Sequence, residues 1–377
     1  MPKVVPPPPD EPAITEPVVT VHRFAGKYLG DDGRRVLLYT ETGPGKAVVE
    51  SRLLEDVLTL TNHSPKDEGK RAEIPAGKTA RFGGRAFIAT PRGLIVYSTG
   101  GEFEWRFLLP GKDDNGETLL GVAGFHDGKV YVVSRQKAQA KSDPAPGRVY
   151  AFEVESGRLA GFRTVAGGFD ADAKLSVDGS NKTLVAVDPA QVTAYPLASN
   201  DDGWTLPVPS TPLTQAAAAD GSVCGTTPGG VIAAHRQQVV ALLDGQTGTA
   251  PPAMRLDDAT AAGGHVYVPV KTAAGQFALT AVERNARGLP WTFPVAKAIT
   301  VAPVLRGRSV YFVAGNVLYR VNAATGAICW KYTLPLKADD VLDELAFAGS
   351  ELRASGPGLL VRVADRPEPP AAPAPAK

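Results

Sequence analysis

Cysteine, histidine, long apolar runs and net charge are all scarce in this 377-residue chain, and each scarcity removes a class of explanation. Two cysteines, Cys224 and Cys329, are too few for a disulfide framework. Each stands beside residues that read as strand, so both are expected to be buried free thiols. Forty basic against 39 acidic side chains leave a formal charge of +1, so no global field gathers a polyanion. Nucleic acid and anionic membrane are therefore not expected partners. No stretch reaches the roughly 18 apolar residues of a membrane helix, and no membrane span is expected. The start, Met1 to Pro9, lacks the apolar core of a secretory signal. As written, the sequence reads as cytoplasmic; it reads as periplasmic or secreted if a leader has been trimmed away. Five histidines, His22, His63, His126, His235 and His265, show no paired spacing and read as turn-packed or solvated groups, not metal ligands. No Gly-x-Ser-x-Gly elbow is present.

What the chain does have is repetition. All four tryptophans sit in one local phrase: Trp105-Arg-Phe107, Trp204-Thr-Leu206, Trp291-Thr-Phe293 and Trp330-Lys-Tyr332. Each closes a set of short apolar runs separated by Gly-containing turns. The clearest copy runs Arg308-Ser-Val-Tyr-Phe-Val-Ala314, then Gly315-Asn, then Val317 to Asn322, then Ala-Ala-Thr-Gly326, then Ala327-Ile-Cys-Trp330. This spells three strands joined by tight turns. The turns that open successive units fall at Gly83, Asp127, Asp178, Asp220, Gly263, Gly307 and Gly349, a period of about 42–51 residues, which is the length of a four-stranded propeller blade. A degenerate unit precedes them, with the turn Asp31-Asp-Gly33 and runs at 35–39, 47–50 and 57–61.

The expected fold is thus all-β: an eight-bladed propeller of four-stranded antiparallel blades, with seven blades as the alternative. The last unit lacks an outer strand and the run Val18 to Phe24 lacks a partner, so the N-terminal strand is expected to close the last blade and leave no exposed sheet edge. Residues 1–17 and 366–377 are rich in Pro and Ala and read as disordered tails around a single domain at 18–365.

The stretch Leu318-Tyr-Arg-Val-Asn-Ala-Ala-Thr-Gly326-Ala-Ile-Cys-Trp330 resembles the tryptophan-docking, PQQ-like repeat of quinoprotein-like β-propellers. That fold is shared by quinone-cofactor alcohol dehydrogenases and the propeller lipoprotein of the bacterial outer-membrane assembly machine. The resemblance covers most of residues 80–363. It implies that Trp105, Trp204, Trp291 and Trp330 dock each blade on its neighbour, with Thr-Gly turning the chain before them. Burying about 150–250 Å² of ring at about 25 cal/mol per Å² contributes roughly 4–6 kcal/mol each, before entropy. The family's dehydrogenases use a calcium or lanthanide ion, an Asp base and often a disulfide between adjacent cysteines. This chain has no adjacent cysteine pair, and its acidic residues lie in turns such as Asp178-Gly and Asp220-Gly, so neither cofactor nor metal is expected.

Other motifs dissolve in context. Ala72-Glu-Ile-Pro-Ala-Gly77-Lys78-Thr79 satisfies the permissive phosphate-loop pattern, yet no apolar strand precedes it and Arg81-Phe-Gly-Gly84 follows where a helix belongs. Asp113 to Gly116 and Asn200 to Gly203 look like calcium loops, but aligning each Gly to position 6 puts Gly111 and Ala198 at position 1.

A partner is then sought on loops. In a four-stranded blade, the loops between second and third strands share a face with those joining blades. Gly111 to Glu117 is a joining loop, Ser134 to Gly147 lies between second and third strands, and Thr40 to Lys46 extends the same face. Lys112, Asp113, Asp114, Arg135, Lys137 and Lys141 are the candidate binding residues. The expected function is a non-catalytic, monomeric scaffold for protein partners in a bacterial multiprotein system. A PQQ- and calcium-dependent dehydrogenase and a carbohydrate- or peptide-binding propeller are the alternatives.

Overall fold

The computed structural model describes residues 17–53, 71–109, 116–137, 145–165, 168–169, 174–178, 182–187, 191–197, 204–207, 215–219, 222–227, 230–235, 238–244, 247–249, 253–254, 265–283 and 289–364. All of the regular structure among them is strand. In chain order, the first strands are β1 (Val18–Asp31), β2 (Arg35–Gly43), β3 (Lys46–Leu53) and β4 (Arg71–Pro75). Then come β5 (Lys78–Phe82), β6 (Arg85–Thr90), β7 (Gly93–Ser98) and β8 (Phe103–Leu108), followed by β9 (Thr118–His126), β10 (Lys129–Arg135), β11 (Gly147–Glu153) and β12 (Leu159–Val165). Next are β13 (Lys174–Asp178), β14 (Thr183–Val187), β15 (Gln191–Pro196) and β16 (Trp204–Pro207), and β17 (Gln215–Ala219), β18 (Ser222–Thr227), β19 (Gly230–His235) and β20 (Gln238–Asp244). The last are β21 (Thr247–Gly248), β22 (Ala253–Met254), β23 (His265–Lys271), β24 (Phe277–Glu283), β25 (Trp291–Val295), β26 (Val304–Arg306), β27 (Ser309–Ala314), β28 (Val317–Asn322), β29 (Ile328–Thr333), β30 (Glu344–Ala348) and β31 (Glu351–Ala364).

Burial follows from where each strand sits in its sheet. Second strands have a sheet neighbour on both edges and packing on both faces, so they read as unbroken apolar runs. Ser309 to Ala314 is buried throughout, as are Ala86 to Thr90. Outer strands alternate instead: in β29, Trp330 is buried between half-buried Cys329 and exposed Lys331. Cys329 is therefore only half-buried, not buried as expected, because its side of β29 is the less covered one.

The ladders do not produce eight separate four-stranded blades, nor seven. Six sheets have four or five strands: β5–β8, β9–β12, β13–β16, β17–β20, β21–β25 and β26–β29. The remaining ladder is a six-stranded sheet in the order β30-β31-β1-β2-β3-β4. Its cause is one continuous strand. Residues Val18 to Arg23 of β1 pair antiparallel with Ala364 to Leu359 of β31, and Lys27 to Asp31 of the same strand pair with Tyr39 to Val36 of β2. The first and last repeats thus share β1 and fuse. Turn spacing counts hairpins, and a shared strand makes the sheets fewer than the hairpins. The β21–β25 sheet departs for a different reason: its first position is split between two short strands, β21 and β22, which both pair with β23.

The core lies between sheets, as expected when a lone sheet covers neither of its faces. One cluster joins Phe87, Val96 and Trp105 to Val130, Tyr150 and Phe152 across two sheets. Another joins Tyr267, Leu279 and Trp291 to Val310, Phe312 and Val321. The first strands β5, β9, β13 and β17 contact one another in succession, which places them innermost and puts β8, β12, β16 and β29 at the rim.

Candidate functional site

The sheet β9–β12 carries both of the molecule's candidate sites, one at each end of its strands. At one end lie the two long connections singled out by the sequence. Lys112, Asp113, Asp114 and Lys141 fall outside the described residues. Arg135 ends β10, paired with Thr118 and Gly147, and is half-buried; Lys137 follows it and is exposed. Beneath them a single buried carboxylate gathers three strands. Glu117, 7% exposed, accepts hydrogen bonds from Ser134 Oγ at 2.6 Å, Tyr150 Oη at 2.7 Å and Arg148 Nη1 at 2.9 Å.

A buried carboxylate is stable only when its oxygens are occupied in this way. Burial raises the Tyr150 phenol above its ordinary value; the Arg148 hydrogen bond opposes that shift and the Glu117 bond adds to it. Arg148 is held more firmly protonated, first by its bond to Tyr150 and then by the Glu117 charge. The bases of the two connections also touch. A Cβ added to Gly116 would lie 2.5 Å from that of Lys137, and within the second connection Gln136 N–H donates to the Pro146 carbonyl at 2.7 Å. The result is a stiff platform from which Arg135 and Lys137 rise.

The tryptophans explain the other end. Trp105 is 9% exposed, Trp291 2% and Trp330 5%. The Trp105 indole N–H donates to the Val154 carbonyl at 3.0 Å, and that of Trp291 to the Ala323 carbonyl at 3.1 Å, each acceptor lying in the next sheet's turn. Tyr267 Oη donates to the same Ala323 carbonyl at 2.9 Å. Each ring also lies flat against a turn glycine. A Cβ on Gly157 would sit 2.5 Å from Trp105, and one on Gly326 2.6 Å from Trp291, while both glycines hold left-handed φ of +67° and +70°. Trp330 packs edge-on to Tyr311, and its buried Nε1 has no partner. Trp204 lies in β16 opposite Ala194, and its side chain is outside the described residues.

Register then identifies what stands in this position in β12. In the β23–β25 ladder, Tyr267 pairs with Ala281 and Ala281 with Trp291. In the β10–β12 ladder, Tyr131 pairs with Ala151 and Ala151 with Gly161. Gly161 takes the tryptophan's place. The turn facing it is also equivalent, since Leu197 N–H bonds the Lys182 carbonyl just as Ala323 N–H bonds the Arg308 carbonyl. A cavity of about 410 Å³ opens there, between β9–β12 and β13–β16, walled by Tyr131, Ala151, Gly161, Arg163, Leu184 and Leu197.

Arg163 reaches across the opening to the Pro196 carbonyl at 2.7 Å and lies over the Tyr195 ring. His126, Asp127, Lys129 and Lys182 also line the cavity. Asp127 and Lys182 are the non-glycine residues with left-handed φ, at 49° and 51°, among the described residues, as their hairpin turns require. Burial, then the Asp127 charge, raise the Tyr131 phenol and keep it a hydrogen-bond donor.

The remaining motifs are absorbed by the fold. Among the described residues no group of three His, Cys, Asp or Glu side chains is close enough to hold a metal. The phosphate-loop match splits between β4 and β5, with Gly77 held by the Tyr39 hydroxyl. The calcium-loop matches fall outside the described residues apart from Gly116. His22 is buried in the closing ladder opposite Leu360, and burial, followed by the charge of Arg362, holds it below its usual range. Sequence reasoning missed Gly161, Leu197 and the Glu117 cluster. The signal for the first was present, since Gly128-Lys-Val-Tyr131 and Gly264-His-Val-Tyr267 align and the glycine could have been found by counting strands onward.

No protein-family profile matches the chain, and no curated protein matches its sequence. Solved structures do share the fold. BamB from Moraxella catarrhalis matches over 93% of this chain and 99% of its own, at 14% identity and a TM-score of 0.51. The computationally designed Ika8 protein matches over 91% and 97%, at 12% identity and a TM-score of 0.57. A europium-containing methanol dehydrogenase matches over 89% and 84%, at 11% identity and a TM-score of 0.47, a level that supports no inference. These likenesses establish a β-propeller fold and no more specific identity.

Proposed function

We propose that the protein is a non-catalytic β-propeller scaffold that binds a protein partner through the loop face of the β9–β12 sheet, in a periplasmic or secreted setting. The observation that carries this is the Glu117 cluster. It locks together the points where both long connections leave the sheet, so that Arg135 and Lys137 stand on a base that does not need ordering when a partner arrives. A rigid base lowers the entropic cost of binding, and Arg is favoured where a partner's carboxylates are to be met. Fold likeness to BamB and the resemblance of the repeat to outer-membrane-assembly propellers are in keeping with this reading.

The double variant Arg135→Glu/Lys137→Glu in the full chain is expected to melt within about 0.5 kcal/mol of the parent, as surface substitutions do. It is expected to lose most of the partner recovered by crosslinking from the native host. Equal recovery by parent and variant would remove the loop face from the proposal. Dye reduction by the protein supplied with pyrroloquinoline quinone and calcium would overturn the non-catalytic reading.

A further inference from the structure

We propose that the cavity beside Gly161 is a tryptophan socket filled in trans, taking the indole side chain of an acidic segment of a partner protein. This goes beyond the loop face and rests only on the reading of the ring as a protein-binding scaffold. The occupant is specified by the chain's own repeat. Where Tyr267 and Ala281 precede a tryptophan, the indole fills the gap between sheets and donates to the Ala323 carbonyl. Where Tyr131 and Ala151 precede Gly161, the same walls remain, the Leu197 carbonyl takes the place of Ala323, and the gap is open. A Cβ built on Gly161 meets nothing within 4 Å, and its φ is ordinary, so neither sterics nor backbone conformation accounts for the missing side chain. Ala160 and Phe162, its neighbours on the same rim strand, also line the opening.

The chain cannot supply the ring itself. Its four tryptophans stand on β8, β16, β25 and β29, and no residue outside the described segments is Phe, Tyr or Trp. The rim gives the partner its charge. Among the described residues that line the cavity, Lys129, Lys182 and Arg163 outnumber Asp127, so carboxylates flanking the indole are favoured. Tryptophan is also the side chain that returns most binding energy from a small, desolvated pocket with one acceptor.

The test uses the full chain with a labelled pentapeptide of one tryptophan between two pairs of acidic residues, titrated by fluorescence anisotropy. Saturable binding is expected, weakened at least about tenfold when the peptide's tryptophan is replaced by alanine. Gly161→Trp is expected to abolish binding, because the protein then plugs its own socket. Lys182→Asp, on an exposed turn, is expected to weaken binding several-fold without touching the interior, and it serves if Gly161→Trp fails to fold. The loop-face double variant should bind the peptide like the parent, so this proposal and the previous one fail separately. No saturable binding at millimolar peptide overturns the socket. So do equal binding of the two peptides, binding untouched by Gly161→Trp or Lys182→Asp, and binding of a neutral indole amide as tight as the acidic peptide.

Discussion

Trp291 and Gly161 hold the same place in two sheets of one chain. Around Trp291, the ring fills the gap to the next sheet, lies tilted with its centre 5.6 Å from that of Tyr267, presses on Gly326 and donates to Ala323. Around Gly161, the walls are kept and the plug is gone. The deeper half of that second groove is filled differently. Phe169, carried by the connection from β12 to β13, is buried against Tyr195 and lies so close to Gly147 that a Cβ there would come within 2.6 Å of its ring. The contrast shows that adjacent sheets can be held by an inner apolar seam alone, with the outer position free for other use. Loss of the plug is tolerable because inter-sheet contacts in a repeat architecture contribute locally.

Substitutions can break this comparison or sharpen it. The largest effect is expected at the filled groove: Trp291→Ala should cost about 3–5 kcal/mol, read from the denaturation midpoint, since it opens a cavity and strips a donor from Ala323. A cost below about 1 kcal/mol would mean that the plug is dispensable everywhere. Gly326→Ala comes next, at about 1–3 kcal/mol, because the new methyl meets the Trp291 ring on a left-handed backbone. Smallest is Gly161→Ala, expected to stabilise by about 0.4–1 kcal/mol through the unfolded chain, there being open space and ordinary φ. Opposite signs for the two glycine-to-alanine changes, one against a filled groove and one beside an open groove, would be the sharpest form of the contrast, and like signs would erase it.

Much of the fold was legible because hairpin chemistry is local. Asp31-Asp-Gly33, Gly83-Gly84, Asp127-Gly128, Gly307-Arg308 and Gly349 all turn the chain between paired strands. The number of sheets was not legible, since it depends on β1 pairing with both β31 and β2, a fact no local window contains. The first repeat shows the same limit. Its expected run at 57–61 lies outside the described residues, and the strand that pairs with β3 is the polar Arg71-Ala-Glu-Ile-Pro75, which takes its place by ladder bonds and not by apolar pattern.

At the candidate sites, loop length located Arg135 and Lys137. The clamp beneath them stayed hidden, because Glu117 just before β9, Ser134 of β10, and Arg148 and Tyr150 of β11 meet only in register. The absence of a tryptophan near Phe162 can be read from the sequence. That this absence leaves a walled cavity cannot, since one wall comes from Leu184, Tyr195 and Leu197 in and beside the next sheet.

The shared strand has a consequence in time. Val18 to Arg23 leave the ribosome long before their partners, Leu359 to Ala364, and the two meet only once all the strands between them have been made. Until then the sheet edge meant for them stays open, and the ring exists as a growing arc that the last strand must clasp. A ladder of such sequence separation makes closure the slow step of assembly. It also makes any chain that stops short of Leu359 a species able to pair through that edge with a second copy.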